Sequence, residues 1–205
     1  MNALPEVRAG PGLTPGEPPD ASESDSVAGA GVRFGAEAEA GTRVEAGPEL
    51  ILDTTYLLPI FGVGVGLPRY ESLFTRLLET LSVGYNPVSL VEAKWISLGL
   101  ARDHPDKRDG LLSAYRRGLA AILLDERISA TELTGPEVEA VADRLLLEFG
   151  LADYFDRVIY ATAVVRNATL LTEDGELLRL ARSPEAPRPR EAMRWADVPG
   201  RLLGD

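Results

Sequence analysis

Ala168-Thr169-Leu170-Leu171-Thr172-Glu173-Asp174-Gly175-Glu176 is a short, mainly apolar run that stops abruptly in two carboxylates and a glycine. It reads as a buried strand whose C-terminal end carries Asp174, with Leu177, Leu178 and Ala181 opening the next helix. A helix over roughly 153–166 precedes it. The same texture occurs earlier, where Glu49-Leu50-Ile51-Leu52-Asp53-Thr54-Thr55 is an apolar run ending in Asp53. Two such strands, each ending in a carboxylate and separated by helical stretches, predict an α/β domain around a parallel sheet.

The stretch between them is helical by periodicity. Tyr70, Leu73, Phe74, Leu77, Leu78 and Leu81 share one face of a 3.6-residue repeat. Ser89-Leu90-Val91-Glu92 has the spacing of a capping box with Pro87 just upstream, predicting a helix from about Ser89 to Ala101. Leu112, Tyr115, Leu119 and Ile122 mark a further helix, and Val138, Val141, Leu145 and Leu146 another. Residues 56–68 carry Gly62, Gly64 and Gly66 between prolines. This segment lacks the lysine and hydroxyl of a phosphate-binding loop and the spacing of a dinucleotide fingerprint, so it reads as a short helix followed by a turned segment.

Residues 1–46 are rich in Gly, Ala, Pro and Glu and bury too little apolar area to offset the entropy of ordering, which predicts a disordered tail. Gly31-Val32-Arg33-Phe34-Gly35 is the one piece of it suited to a short strand or to docking. The domain is expected over 47–182. Residues 183–205 form a Pro/Arg-rich extension whose Trp195, Val198 and Leu202 can pack back onto it.

Composition removes several chemistries. The 205 residues include no cysteine, which excludes disulfides and thiolate metal sites. The single histidine, His104, lies in a polar run that reads as an exposed loop, leaving no histidine cluster and no histidine base. No apolar run reaches the roughly 18 residues of a membrane span, and the N-terminus lacks the pattern of a signal peptide, so a cytoplasmic protein is expected. The net charge is −11, of which residues 1–46, with 8 acidic and 3 basic side chains, hold −5. Such a chain is a poor non-specific binder of long nucleic acid unless a cation and a local basic patch reverse the field. Arg116-Arg117 and Lys107-Arg108 are the candidate patch members.

Four separated carboxylates then stand out by placement. Asp53 and Asp174 lie at strand ends, and Glu92 and Asp156 in the expected first turns of helices, where the helix dipole favours negative charge. Gathered together they form an oxygen-donor set suited to a hard divalent cation, and clustered like charges are costly without one. Such a site supports phosphodiester hydrolysis by polarising a phosphoryl oxygen and activating water. Thr54 and Thr172 lie beside the acidic positions, placed to bond to metal-bound water or phosphate. A paired-carboxylate glycosidase fits less well, because no substrate-binding aromatic cluster accompanies the acids.

These residues resemble the PIN-domain family, which includes toxin ribonucleases of toxin–antitoxin pairs and related archaeal proteins. The resemblance rests on Ile51-Leu52-Asp53-Thr54-Thr55, Ser89-Leu90-Val91-Glu92, Asp156-Arg157-Val158-Ile159-Tyr160-Ala161-Thr162-Ala163 and Leu170-Leu171-Thr172-Glu173-Asp174, in that order. It implies a PIN-like (Rossmann-like) three-layer sandwich with a central parallel sheet of about five strands. It further implies a metal-dependent endoribonuclease using Mg²⁺ or Mn²⁺ at Asp53, Glu92, Asp156 and Asp174. An RNA substrate, a homodimer and an antitoxin-like protein partner belong to the same expectation. The alternative is a PIN-like RNA- or protein-binding module without nuclease activity. Asp153, one turn before Asp156, is a rival for the third acidic position and otherwise an N-cap or accessory ligand. Two features depart from the family pattern: Tyr56 replaces a small polar residue common in toxin-type members, and Pro59–Pro68 is unusually glycine-rich. The middle, 103–150, is long enough for a helical projection.

Overall fold

Five strands of three residues each lie parallel in one sheet in this computed structural model, which describes residues 49–204. The expected tail 1–46, with its Phe34 segment, falls outside the described residues. The strands are β1 (Leu50–Leu52), β2 (Val83–Tyr85), β3 (Ile128–Ala130), β4 (Thr169–Leu171) and β5 (Glu191–Met193), in spatial order β3-β2-β1-β4-β5. Leu50 pairs with both Val83 and Thr169, so β1 is the central strand. The chain winds outward from β1 to β3, then returns to β1's other edge with β4. The sheet therefore reverses its order between β1 and β4. A crevice opens at the carboxyl ends of strands at such a point.

Among the described residues seven α-helices cover the sheet: α1 (Tyr70–Thr80), α2 (Val88–Asp103), α3 (Arg108–Leu124), α4 (Pro136–Phe149), α5 (Tyr154–Val165), α6 (Gly175–Leu180) and α7 (Val198–Leu202). Alternation along the strands divides the core in two. Leu50, Leu52 and Leu171 point to one face and pack with Leu73, Leu77, Tyr115, Ile122 and Val198. Ile51 and Leu170 point to the other, against Leu145, Val158, Ile159, Ala163 and Leu177. Three layers result, the arrangement expected from the sequence. Each fully buried Leu or Ile contributes about 1.5–3 kcal/mol relative to exposure. No helix among the described residues is long and apolar enough to cross a membrane.

Two expectations are corrected. Residues 103–150 do not project: Tyr115 and Ile122 of α3 lie in the core, and β3 completes the sheet beside β2. Nor does Ser89 cap a helix. It lies inside α2, fully buried, and the helix follows Pro87, with Asn86 Oδ1 accepting from the Val88 amide at 2.9 Å. Proline supplies a fitting start because its missing N–H costs nothing there.

Candidate metal centre

Asp53 leaves β1 where the sheet order reverses, and its amide donates to the Leu171 carbonyl of β4 at 3.0 Å. Glu92 lies in the second turn of α2, not the first, and the helix has no acidic residue in its first turn. Asp156 stands in the first turn of α5, whose N-cap is Asp153. Asp174 follows β4 and caps α6, its Oδ1 accepting from the amides of Glu176 and Leu177 at 2.6 and 2.9 Å. All four carboxylates line one cavity of about 400 Å³, with Thr54, Thr55 and Glu173 also polar at its wall and Leu58 and Ile96 apolar.

The electrostatics of the cavity follow from this crowding. Burial pushes the Asp53 carboxyl up to about 6, with the charges of Glu92 and Asp174 adding to the rise and the Thr172 hydrogen bond opposing it. Asp156 is pushed up to about 7, first by burial and then by Asp53, Asp153, Asp174 and Glu92. Burial also raises Glu92, against the hydrogen bond from Thr54. These are costs of ionising several carboxyls in one partly dry space.

The two threonines serve the carboxylates directly. Thr54 Oγ1 donates to Glu92 Oε2 at 2.6 Å, and Thr172 Oγ1 donates to Asp53 Oδ2 at 2.7 Å while accepting from the Asp174 amide at 3.0 Å. Both side chains are almost fully buried. Their hydroxyl protons orient two acids instead of reaching toward water or phosphate. Asp153 takes the N-cap role, accepting from the Phe155 amide at 2.8 Å and the Asp156 amide at 3.3 Å.

The donors suit a hard divalent cation in kind, being carboxylate oxygens whose mutual repulsion a cation would relieve. Their closure is incomplete. Among the described residues, no three acidic or histidine side chains are arranged to hold a metal ion. Asp53, Glu92 and Asp174 are each turned toward a protein donor. The four carboxylates share one cavity, and Asp53, Glu92 and Asp174 each meet their protein donors through a single oxygen.

Glu173 was absent from the expected site. Its Oε1 accepts from the Tyr56 hydroxyl and from the Trp195 amide, both at 2.9 Å, and its Oε2 faces Arg194 Nη1 at 3.4 Å. Tyr56 stacks on Trp195 with ring centroids 5.6 Å apart, and Trp195 Nε1 donates to the Pro68 carbonyl at 2.8 Å. One carboxylate in the cavity wall thus joins the turn after Asp53 to the C-terminal segment. The unusual tyrosine at position 56 was the available signal, since a buried phenol needs an acceptor. The basic residues Lys107, Arg108, Arg116 and Arg117 are exposed and line no part of this cavity.

No protein-family model and no curated protein matches the chain. Among solved structures, PAE2754 from Pyrobaculum aerophilum matches at 18% identity and a TM-score of 0.51, over 77% of this chain and 98% of its own. VapBC2 from Rickettsia felis, bound to a DNA fragment from its promoter, matches at 18% identity and 0.48, over 72% and 98%. A toxin–antitoxin complex from Klebsiella pneumoniae matches at 17% and 0.42, over 69% and 98%. At these identities the likeness is one of fold, and the fold is PIN-like.

Proposed function

We propose that this PIN-like chain is a divalent-metal-dependent ribonuclease whose site is the acidic cavity at the carboxyl ends of β1 and β4. The observation that carries the reading is the gathering of Asp53, Glu92, Asp156 and Asp174 from four separate elements around one cavity. An isolated fold has no use for so costly a cluster, whereas a cation would relieve it. The choice of RNA rests on the sequence resemblance.

Asp53, the most buried of the four, and Asp174 hold fixed positions at the strand ends, and Thr172 orients Asp53. Glu92 and Asp156 approach from the two helices, with Thr54 steering Glu92. When bound there, Mg²⁺ or Mn²⁺ supplies charge neutralisation, polarisation of a phosphoryl oxygen and activation of water. Leu58 and Ile96 form the apolar part of the wall and limit water on that side.

The test is a cleavage assay over several RNA classes with Mg²⁺ or Mn²⁺, with EDTA and Asp53→Asn as controls. Cleavage should stop in EDTA and fall at least about a hundredfold in Asp53→Asn, equivalent to ~2.7 kcal/mol of transition-state stabilisation. Cleavage unchanged by both, or no cleavage and no cation binding, overturns the reading. One observation favours a second reading, a PIN-like binding module: the hydrogen bonds that turn Asp53, Glu92 and Asp174 toward protein donors. A module of that kind binds RNA or a protein equally well with asparagine at position 53.

A further inference from the structure

Arg102 and Arg108 stand where α2 gives way to α3, and neither lines the acidic cavity. With Leu98, Ala101, Pro105 and Leu112 they line a separate groove of about 320 Å³. Its plan follows from helical spacing. Leu98 lies one turn before Arg102 on α2, and Leu112 one turn after Arg108 on α3, so each helix supplies one leucine and one guanidinium. Buried Ala101 forms the floor. The apolar strip continues beyond the groove along α2. Trp95, 74% exposed, precedes Leu98 by three residues on the same helix face, and the exposed Val91 precedes Trp95 by four.

The two guanidiniums have little to do within the chain. Among the described residues Arg108 makes no ion pair, and Arg102 meets only its neighbour Asp103 at 3.4 Å, with both side chains mostly exposed. Such a pair contributes almost nothing to stability. Asp103, Asp106 and Asp109 belong to the same stretch but line no part of the groove. In a chain of net charge −11, this is an apolar slot with positive edges.

We propose that the groove docks an acidic amphipathic helix of a partner protein. Charge complementarity selects the occupant. One apolar side chain fills the slot between Leu98 and Leu112, another one turn along rests on Trp95, and flanking carboxylates meet Arg102 and Arg108. A nucleic-acid backbone supplies anions for the arginines but no aliphatic group for the floor between them. A second copy of the chain fits worse, because a twofold axis through the groove sets each copy's arginines against the other's. The site is separate from the acidic cavity and does not depend on the ribonuclease reading. Arg102 lies ten residues beyond Glu92, about 15 Å along α2.

The probes are three Glu-rich peptides of about 16 residues, long enough to hold a helix, with Leu, Phe or Met at the anchor positions. Each is titrated into the full-length protein while tryptophan emission is followed. Trp95 is the indole that a ligand reaches, since Trp195 is 2% exposed. At least one peptide should bind and shift the emission to shorter wavelength, even though two negative net charges oppose the encounter. Affinity should fall about tenfold or more in an Arg102→Glu, Arg108→Glu protein, and equally when alanine replaces the peptide's anchors. An Arg116→Glu, Arg117→Glu protein carries the same charge change outside the groove and should bind as the parent does. Because these arginines are exposed, unchanged melting temperatures will show that both variants fold.

If no peptide binds, or if the two charge-reversed proteins lose affinity alike, the proposal is overturned. It is also overturned if Arg102→Glu, Arg108→Glu abolishes binding of an oligoribonucleotide and spares that of the peptide. Sedimentation showing that this change turns a dimer into a monomer assigns the groove to a second copy and overturns it as well.

Discussion

At the scale of single residues, the cavity opposes its own ionisation. Asp53 and Asp156 have folded-state values of about 6 and about 7, against 3.8 when free of the fold. A carboxyl raised by folding contributes its stability below the unfolded value and loses it as pH rises through the folded one. In EDTA the protein should therefore melt at a lower temperature at pH 8 than at pH 5, with the loss running from about pH 4 and complete just above about pH 7. Mg²⁺ should restore much of the loss at pH 8. Thermal melts with and without the cation check this, and an identical drop in an Asp53→Asn, Asp156→Asn protein would assign it elsewhere. Asp53 and Asp174 were legible because each ends an apolar run. Glu92 was found through a capping box that does not form. Its carboxylate instead accepts a hydrogen bond from Thr54, 38 residues away in sequence, a bond that no local pattern encodes.

At the scale of elements, most helices were legible and three strands, β2, β3 and β5, were not. α1, α3, α4 and α5 carry apolar stripes long enough to register a period. β2 and β3 are three residues each, too short for alternation, and β3 is buried only at Ile128. Their pairing partners lie some 33 and 45 residues away, and that pairing is what makes them strands. Close approach between elements was equally hidden. Gly118 faces the 3₁₀ turn Leu58–Phe61, and a methyl there would overlap the Ile60 carbonyl and lie 2.8 Å from Phe61 Cδ1. Alanine is the better helix former by about 1 kcal/mol, but overpacking costs about 1–3 kcal/mol. Gly118→Ala should therefore lower stability by up to about 2 kcal/mol net and disturb Leu58 at the cavity wall. Urea unfolding would measure the loss, and a gain in stability would show that α3 moves freely.

At the scale of the whole molecule, the C-terminal segment is part of the site's support. β5 pairs with β4, Met193 and Trp195 lie in the core, and Glu173 ties Trp195 to Tyr56 beside Asp53. Ending the chain after Arg190 would strip the β4 edge, remove a fully buried tryptophan and leave the Tyr56 ring without its stacking partner. Losing a buried Trp side chain alone costs about 3–5 kcal/mol, comparable with the whole stability of a marginal domain. The shortened chain should lose cooperative unfolding in circular dichroism melts, and a sharp transition near that of the full chain would contradict this. The order of amino acids determined the fold class, most helices and the four acids, because periodicity and abrupt strand ends are local properties of the chain. Only the folded molecule decided that those acids share a cavity, that threonines steer two of them, and that Glu173 holds the C-terminal segment to the site. Those relations join residues from 38 to more than 100 positions apart, and a reversal of strand order brings the two ends of the domain together.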